Sequence, residues 1–140
     1  RHGHHCTMPL HDRLGVPAAI VSSSRNARRV LDVAGLGDRF DVIVDGEVAA
    51  REHIVGKPAP DMYLAAAARR GVAPERSVVV EDALSGVAAG AAGGFGTVIG
   101  IDRGAGIDAL LAHGATLAVH DLADLLPDGD EITTSVESDR

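Results

Sequence analysis

Ser77-Val78-Val79-Val80-Glu81-Asp82-Ala83-Leu84-Ser85-Gly86-Val87-Ala88-Ala89-Gly90 is the stretch whose reading decides the fold. The valine run predicts a buried strand. The small-residue run Ala83–Ala92, ended by Gly93-Gly94, predicts a helix. Two carboxylates stand between them. An apolar strand gains no stability by ending in adjacent like charges, which repel and resist burial. A hard divalent cation removes that cost and prefers oxygen ligands, so Glu81 and Asp82 are candidate Mg²⁺ ligands. The structural alternative is that Asp82 caps the helix beginning at Ala83. The pair alone leaves both readings open.

The same strand-then-helix order extends in both directions. Upstream, Pro17–Val21 reads as a strand ending in Ser22-Ser23-Ser24, and Arg25–Ala34 as a helix ended by Gly35. Phe40–Val44 reads as a second strand closed by Asp45-Gly46, and Glu47–Pro60 as a long loop carrying Gly56-Lys57-Pro58. Asp61–Arg70 is an Ala-rich helix with an acidic start, stopped by Gly71. Downstream come a strand at Gly96–Ile101, a helix at Ile107–His113, a weaker strand at Thr116–Val119 and a last helical turn at Asp121–Leu126. Continuous apolar strands alternating with helices mean an α/β fold with a parallel sheet covered on both faces. Such sheets bind ligands in the loops at the carboxyl ends of their strands. Residues 17–126 therefore read as one α/β core, 1–16 as a linker or cap remnant, and 127–140 as a loose acidic tail.

Composition narrows the function classes. The 140 residues carry 13 basic and 20 acidic side chains, a net charge of −7. Asp128, Asp130, Glu131, Glu137 and Asp139 against Arg140 place −4 of this in the tail, leaving −3 elsewhere. An acidic chain with one Tyr, two Phe and no Trp is a poor nucleic-acid binder. Cys6 is the sole cysteine, so no internal disulfide and no Cys-rich zinc site is expected. No apolar run approaches membrane-spanning length and no signal peptide is visible. A cytoplasmic monomer is the expectation. His2, His4, His5, Cys6 and His11 cluster at the start, but their spacing matches no regular geometry for one ion, and they read as linker.

Two further loops carry chemistry. Lys57 is the sole lysine among the 13 basic residues. Its compact charge on a flexible stem can reach a phosphate or a carboxylate, although an isolated lysine ordinarily sits in solvent. Ser22-Ser23-Ser24-Arg25-Asn26 gathers hydroxyls, amide hydrogens and a guanidinium where a strand hands over to a helix, which suits a phosphate. A plain helix cap is the alternative for one or two such residues, and five in a row favour the anion. Ser22 lacks the G-x-S-x-G elbow of a Ser-His-Asp hydrolase, and no His stands out as its base.

Together, Val21-Ser22-Ser23-Ser24-Arg25-Asn26, Gly56-Lys57-Pro58-Ala59-Pro60-Asp61 and Val80–Gly90 resemble the haloacid dehalogenase (HAD) superfamily, in its β-phosphoglucomutase-like branch, over roughly residues 14–126. Receiver domains share the sheet type, but there the acidic pair precedes the hydroxyl and the Lys. The resemblance implies a three-layer, Rossmann-like parallel sheet and Mg²⁺-dependent phosphoryl transfer on a sugar phosphate, as mutase or phosphatase. It implies Glu81 and Asp82 as Mg²⁺ ligands, with Asp82 the more direct. Lys57 would neutralise charge between nucleophile and phosphoryl group, and Ser22 and its neighbouring amides would bind a phosphoryl oxygen. Arg25 and Asn26 would hold a second phosphate. It further implies a nucleophilic Asp in a D-x-D-G motif on a strand between those carrying Ser22 and Glu81. The 140 residues contain no such motif. The expectation is thus an incomplete core with its central nucleophile strand and cap missing, inactive as it stands. A non-catalytic remnant that binds phosphate or a partner protein is the alternative.

Overall fold

The computed structural model of the protein describes residues 17–36 and 40–125. The expectations for the His-rich start and the acidic tail lie outside the described residues. In chain order the elements are β1 (Ile20–Val21), α1 (Ala27–Val33), β2 (Ile43–Val44), α2 (Gly46–Glu52), α3 (Asp61–Arg70), β3 (Val78–Glu81), α4 (Leu84–Ala92), β4 (Thr97–Ile101), α5 (Ile107–Ala112) and β5 (Leu117–Val119). Short 3₁₀ turns occupy Pro74–Arg76 and Leu122–Leu125.

Among the described residues every strand pairing is parallel. β1 pairs with β2 in the register Ile20↔Ile43 and Val21↔Val44. β3 pairs with β4 from Val78↔Thr97 to Glu81↔Gly100, and β4 with β5 from Ile99↔Leu117 to Ile101↔Val119. Alternate residues of β1 and β2 serve different layers, as the period of a strand requires. Ile20 and Ile43 pack with Ala27 and Leu31 of α1. Val44 packs instead with Met62 and Ala66 of α3. Helices on both faces explain why these strands are apolar without alternation. Val79 and Val98 form a third cluster with Val87 of α4, Leu110 of α5 and Tyr63 of α3.

Glycine sets the closeness of α4 to its sheet. Gly86 and Gly90 lie four residues apart on one helix face. A Cβ on Gly86 would overlap the carboxyl carbon of Glu81, and one on Gly90 would stand 3.1 Å from Val98 and 3.2 Å from Val79. The backbone approach that brings the helix start against Glu81 therefore depends on an absent side chain.

Two expectations are corrected. The stretch Glu47–Pro60 is not a loop throughout, because α2 occupies Gly46–Glu52. Asp45 is its N-cap and accepts a hydrogen bond from the Val48 amide at 2.9 Å, so Asp45-Gly46 starts a helix as well as closing a strand. The cap of α4 is also reassigned. Ala83 occupies that position, with no side-chain cap bond, so Asp82 is not the N-cap of this helix.

The strands form two sheets, β1-β2 and β3-β4-β5, and β1 and β3 do not pair with each other. Between them runs a groove of about 370 Å³. Val78 to Glu81 of β3 line it on one side, and Ala18 and Ala19, just before β1, with Val21 of β1 on the other; Tyr63 and Ala66 of α3 are also in its lining. Consecutive residues point to opposite faces of a strand, so on the β3 side the groove is bounded by a strand edge. The gap lies between the strand that precedes Ser22 and the strand that ends at Glu81, in keeping with an incomplete central sheet.

Candidate active site

Within each sheet, parallel strands deliver their carboxyl ends to one side. β1 is followed by Ser22, β2 by Asp45, β3 ends in Glu81 and is followed by Asp82, and β4 is followed by Asp102. Ser22, Asp45, Glu81 and Asp82 are all buried.

Glu81 is the centre of the arrangement. Its side chain is 1% exposed and that of Lys57 is 5% exposed. Lys57 donates from Nζ to Glu81 Oε2 at 2.8 Å. The hydroxyl of Tyr63 donates to the same oxygen at 2.6 Å. Glu81 Oε1 accepts from the backbone amides of Asp82 at 3.1 Å and Ala83 at 3.2 Å. Four donors thus meet the roughly four lone-pair sites of one carboxylate. A charge buried this fully is tolerable because it is both paired and hydrogen-bonded. The strand does end in a committed charge, as the sequence suggested, but Glu81 spends its oxygens on Lys57, Tyr63 and the chain itself.

Lys57 reaches this position from a connection fixed at both ends. Ile54 donates its amide to Ala49 of α2 and packs beside Val44, Met62 and Ala66. On the other side α3 starts at Asp61, with Leu64 N–H bonded to Pro60. Arg69 of α3 pairs with Glu52 at the end of α2. The Lys57–Pro58 peptide is cis. Lys57 Nζ lies 5.1 Å from the ring centroid of Tyr63, within range of a cation–π contact. Phe95 meets Tyr63 edge-on at 5.9 Å between centroids.

The serine loop is ordered by its own hydroxyls. Ser22 Oγ accepts from the Ser24 amide at 3.1 Å, and Ser24 Oγ accepts from the Asn26 amide at 3.0 Å. Ser24 C=O in turn accepts from Gly46 N–H at 2.9 Å, tying the ends of β1 and β2 together. Ser23, Ser24, Arg25 and Asn26 are exposed, and Asn26 stands at the N-cap of α1 without a side-chain cap bond. The structure thus joins Lys57 directly to Glu81. Ser22 follows β1 in the other sheet, and the hydroxyls of Ser22 and Ser24 accept hydrogen bonds from amides inside their own loop.

Known proteins resemble this chain in sequence and in fold. The profile of the haloacid dehalogenase-like hydrolases matches residues 7–94. The chain belongs to the haloacid dehalogenase-like hydrolases. Among HAD-like relatives, a β-phosphoglucomutase of Mycobacterium bovis is 53% identical over 116 residues, which cover 80% of this chain and 44% of that protein. The fold superimposes on a HAD family hydrolase from Deinococcus radiodurans, solved with bound phosphate and sodium, with a TM-score of 0.70 and 38% identity over 81% of this chain and 52% of that one. A β-phosphoglucomutase from Clostridium difficile gives a TM-score of 0.70 and 26% identity, covering 83% of this chain and 48% of that one. The chain spans about half the length of these HAD-like proteins.

Tyr63 and Gly86 are the site residues that reading the sequence missed. Tyr63 is the sole tyrosine and looks like a core aromatic near a helix start. Gly86 gave a better signal. Glycine costs about 1 kcal/mol relative to alanine inside a helix, so Gly86 and Gly90 on one face of an Ala-rich helix imply a close approach.

Proposed function

We propose that this chain carries the serine, lysine and acidic elements of a Mg²⁺-dependent phosphoryl-transfer site that acts on a sugar phosphate, as a β-phosphoglucomutase-like mutase or a phosphatase. The observation that carries the reading is the buried Lys57–Glu81 pair at 2.8 Å, at the end of β3; on this reading Ser22, which follows β1, would face the same phosphate. Phosphoryl transfer is catalysed chiefly by positioned charge. Lys57 would meet the charge that spreads over the transferring phosphoryl oxygens. Ser22 Oγ accepts from the Ser24 amide and still has its own proton to give to a phosphoryl oxygen. Arg25 and Asn26, both exposed, would hold a second phosphate, with Ser23 and Ser24 beside them.

The donor chemistry suits Mg²⁺ in part. Asp82 is a buried carboxylate one residue past the strand end, and such an oxygen would hold the ion. Glu81, with its four donors, fits a place behind it, fixing Lys57 and the Asp82 backbone. Among the described residues no group of three His, Cys, Asp or Glu side chains is placed to hold a metal, so substrate oxygens, water and a further carboxylate would complete the set. The bound ion would neutralise phosphoryl charge. The groove between β1 and β3 supports a place for a further parallel strand, which would carry the nucleophilic carboxylate that D-x-D-G supplies in this family. On this reading the 140 residues alone bind phosphate as a monomer in the cytoplasm and do not turn over.

The test is an assay of the chain with β-glucose 1-phosphate and with an aryl phosphate in Mg²⁺, beside a form extended to carry a D-x-D-G strand. Turnover is expected only in the extended form and is expected to vanish on Asp82→Asn. Turnover by the 140-residue form that survives Asp82→Asn would overturn the proposal.

A further inference from the structure

We infer that Tyr63 is a positioning residue, which holds Lys57 at the phosphate site through the Glu81 oxygen they share and through its own ring. The inference rests on the phosphoryl-transfer reading of Lys57.

A lysine ammonium on a four-carbon stem is flexible, and a single ion pair fixes its distance from a carboxylate better than its direction. Here two neighbours restrict it. Glu81 Oε2 lies 2.8 Å from Nζ, and the Tyr63 ring centroid lies 5.1 Å from it. Tyr63 is itself fixed. It is buried, its ring meets Phe95 at 69°, and its hydroxyl reaches Glu81 Oε2 at 2.6 Å. Lys57 and Tyr63 lie six positions apart in sequence, so one short connection brings both to the carboxylate.

Phenylalanine would fill the same space and give the same ring contact. The hydroxyl adds something different. Glu81 divides its negative charge among Lys57, Tyr63 and two backbone amides. A carboxylate shared in this way neutralises the ammonium less completely than one given to Lys57 alone. More of the lysine charge is then left for a phosphoryl oxygen. Tyr63 acts on that charge from behind and does not touch substrate.

Composition makes the test selective, because Lys57 is the sole lysine, Tyr63 the sole tyrosine, and tryptophan is absent. In the full chain, carbon-13 labelling of the lysine ε-position gives one NMR signal to follow. The wild type should show nuclear Overhauser contacts from the Tyr63 ring to the Lys57 Hε protons, and two resolved Hε shifts. Tyr63→Phe should keep the ring contact and shift the Hε signals as Glu81 gives its charge more fully to Lys57. It should also weaken orthophosphate binding, read from the same signal, by about threefold to tenfold. Tyr63→Leu should cost more. Absence of the ring contact in the wild type would overturn the inference without any variant. So would a folded Tyr63→Phe chain with unchanged Lys57 shifts and phosphate affinity. A wild type whose Lys57 signals respond to Tyr63→Phe but not to orthophosphate would sink the phosphoryl-transfer reading and leave the positioning intact.

Discussion

Glu81 and Asp102 stand at the carboxyl ends of neighbouring strands, β3 and β4, and their surroundings make them different groups. Glu81 is buried against Lys57 and Tyr63, under a helix whose Gly86 leaves it just enough room. Asp102 stands half-buried at the start of a glycine-rich loop. Its Oδ1 accepts from the amides of Gly104 and Gly106, each at 3.0 Å, and its Oδ2 lies 3.2 Å from His120 Nδ1, on a side chain 74% exposed. One carboxylate fixes a cation inside the fold, and the other shapes a surface turn. An acid at the end of a strand is therefore not a site until a buried partner of opposite charge reaches it.

The comparison breaks most sharply if the buried pair is opened. Lys57→Met leaves Glu81 charged and buried with three donors, and should cost about 3–5 kcal/mol in a urea titration. Adding Glu81→Gln should recover part of that loss. A cost no greater than that of Asp102→Asn would erase the distinction. Gly86→Ala tests the same carboxylate from the helix side. Its methyl would press on Glu81, and about 1–3 kcal/mol of destabilisation is expected from overpacking, measured by the same unfolding curve. A neutral result would mean that α4 can shift away at no cost.

A third experiment concerns the neighbouring acid. Mg²⁺ binding by the chain should be weak, because Asp82 would act with few protein ligands, and Asp82→Asn should abolish what there is in a calorimetric titration. Tight binding would point to a ligand set other than the one proposed. The smallest effect belongs to Asp102. The amide of Gly104, then that of Gly106, with a lesser contribution from His120 and against the effect of burial, hold its carboxyl below the ordinary value of 3.8. A depressed folded value means stability that is present above about pH 3.8 and lost as the pH falls through the lowered value. The advantage of the wild type over Asp102→Asn should therefore shrink on acidification in that range. An advantage that grows there would contradict the loop geometry.

Much of this was legible in the sequence. The parallel α/β class followed from apolar strands alternating with helices, and Asp61–Arg70 matches the predicted helix at both ends because Pro60, Asp61 and Gly71 mark it. The strands at Pro17–Val21 and Phe40–Val44 shorten to Ile20–Val21 and Ile43–Val44. Helix α2 was hidden because Asp-Gly reads first as a turn, although Asp45 also caps a helix. The residue types of the site were visible, but their connections were not. Lys57 and Glu81 are 24 residues apart and Tyr63 and Glu81 are 18 apart. No local pattern encodes which donor reaches which oxygen, so the four donors that meet Glu81 could not be read from the paired carboxylates.

The central claim is that Lys57, held by Glu81, and Ser22 serve one phosphate. The most direct measurement is an anomalous difference map from a crystal of the chain soaked in tungstate, a heavy tetrahedral stand-in for phosphate. The account predicts a tungsten site whose oxygens lie within about 3.2 Å of both Lys57 Nζ and Ser22 Oγ. Tungstate bound at the serine loop with Lys57 out of reach, or bound elsewhere, would contradict it.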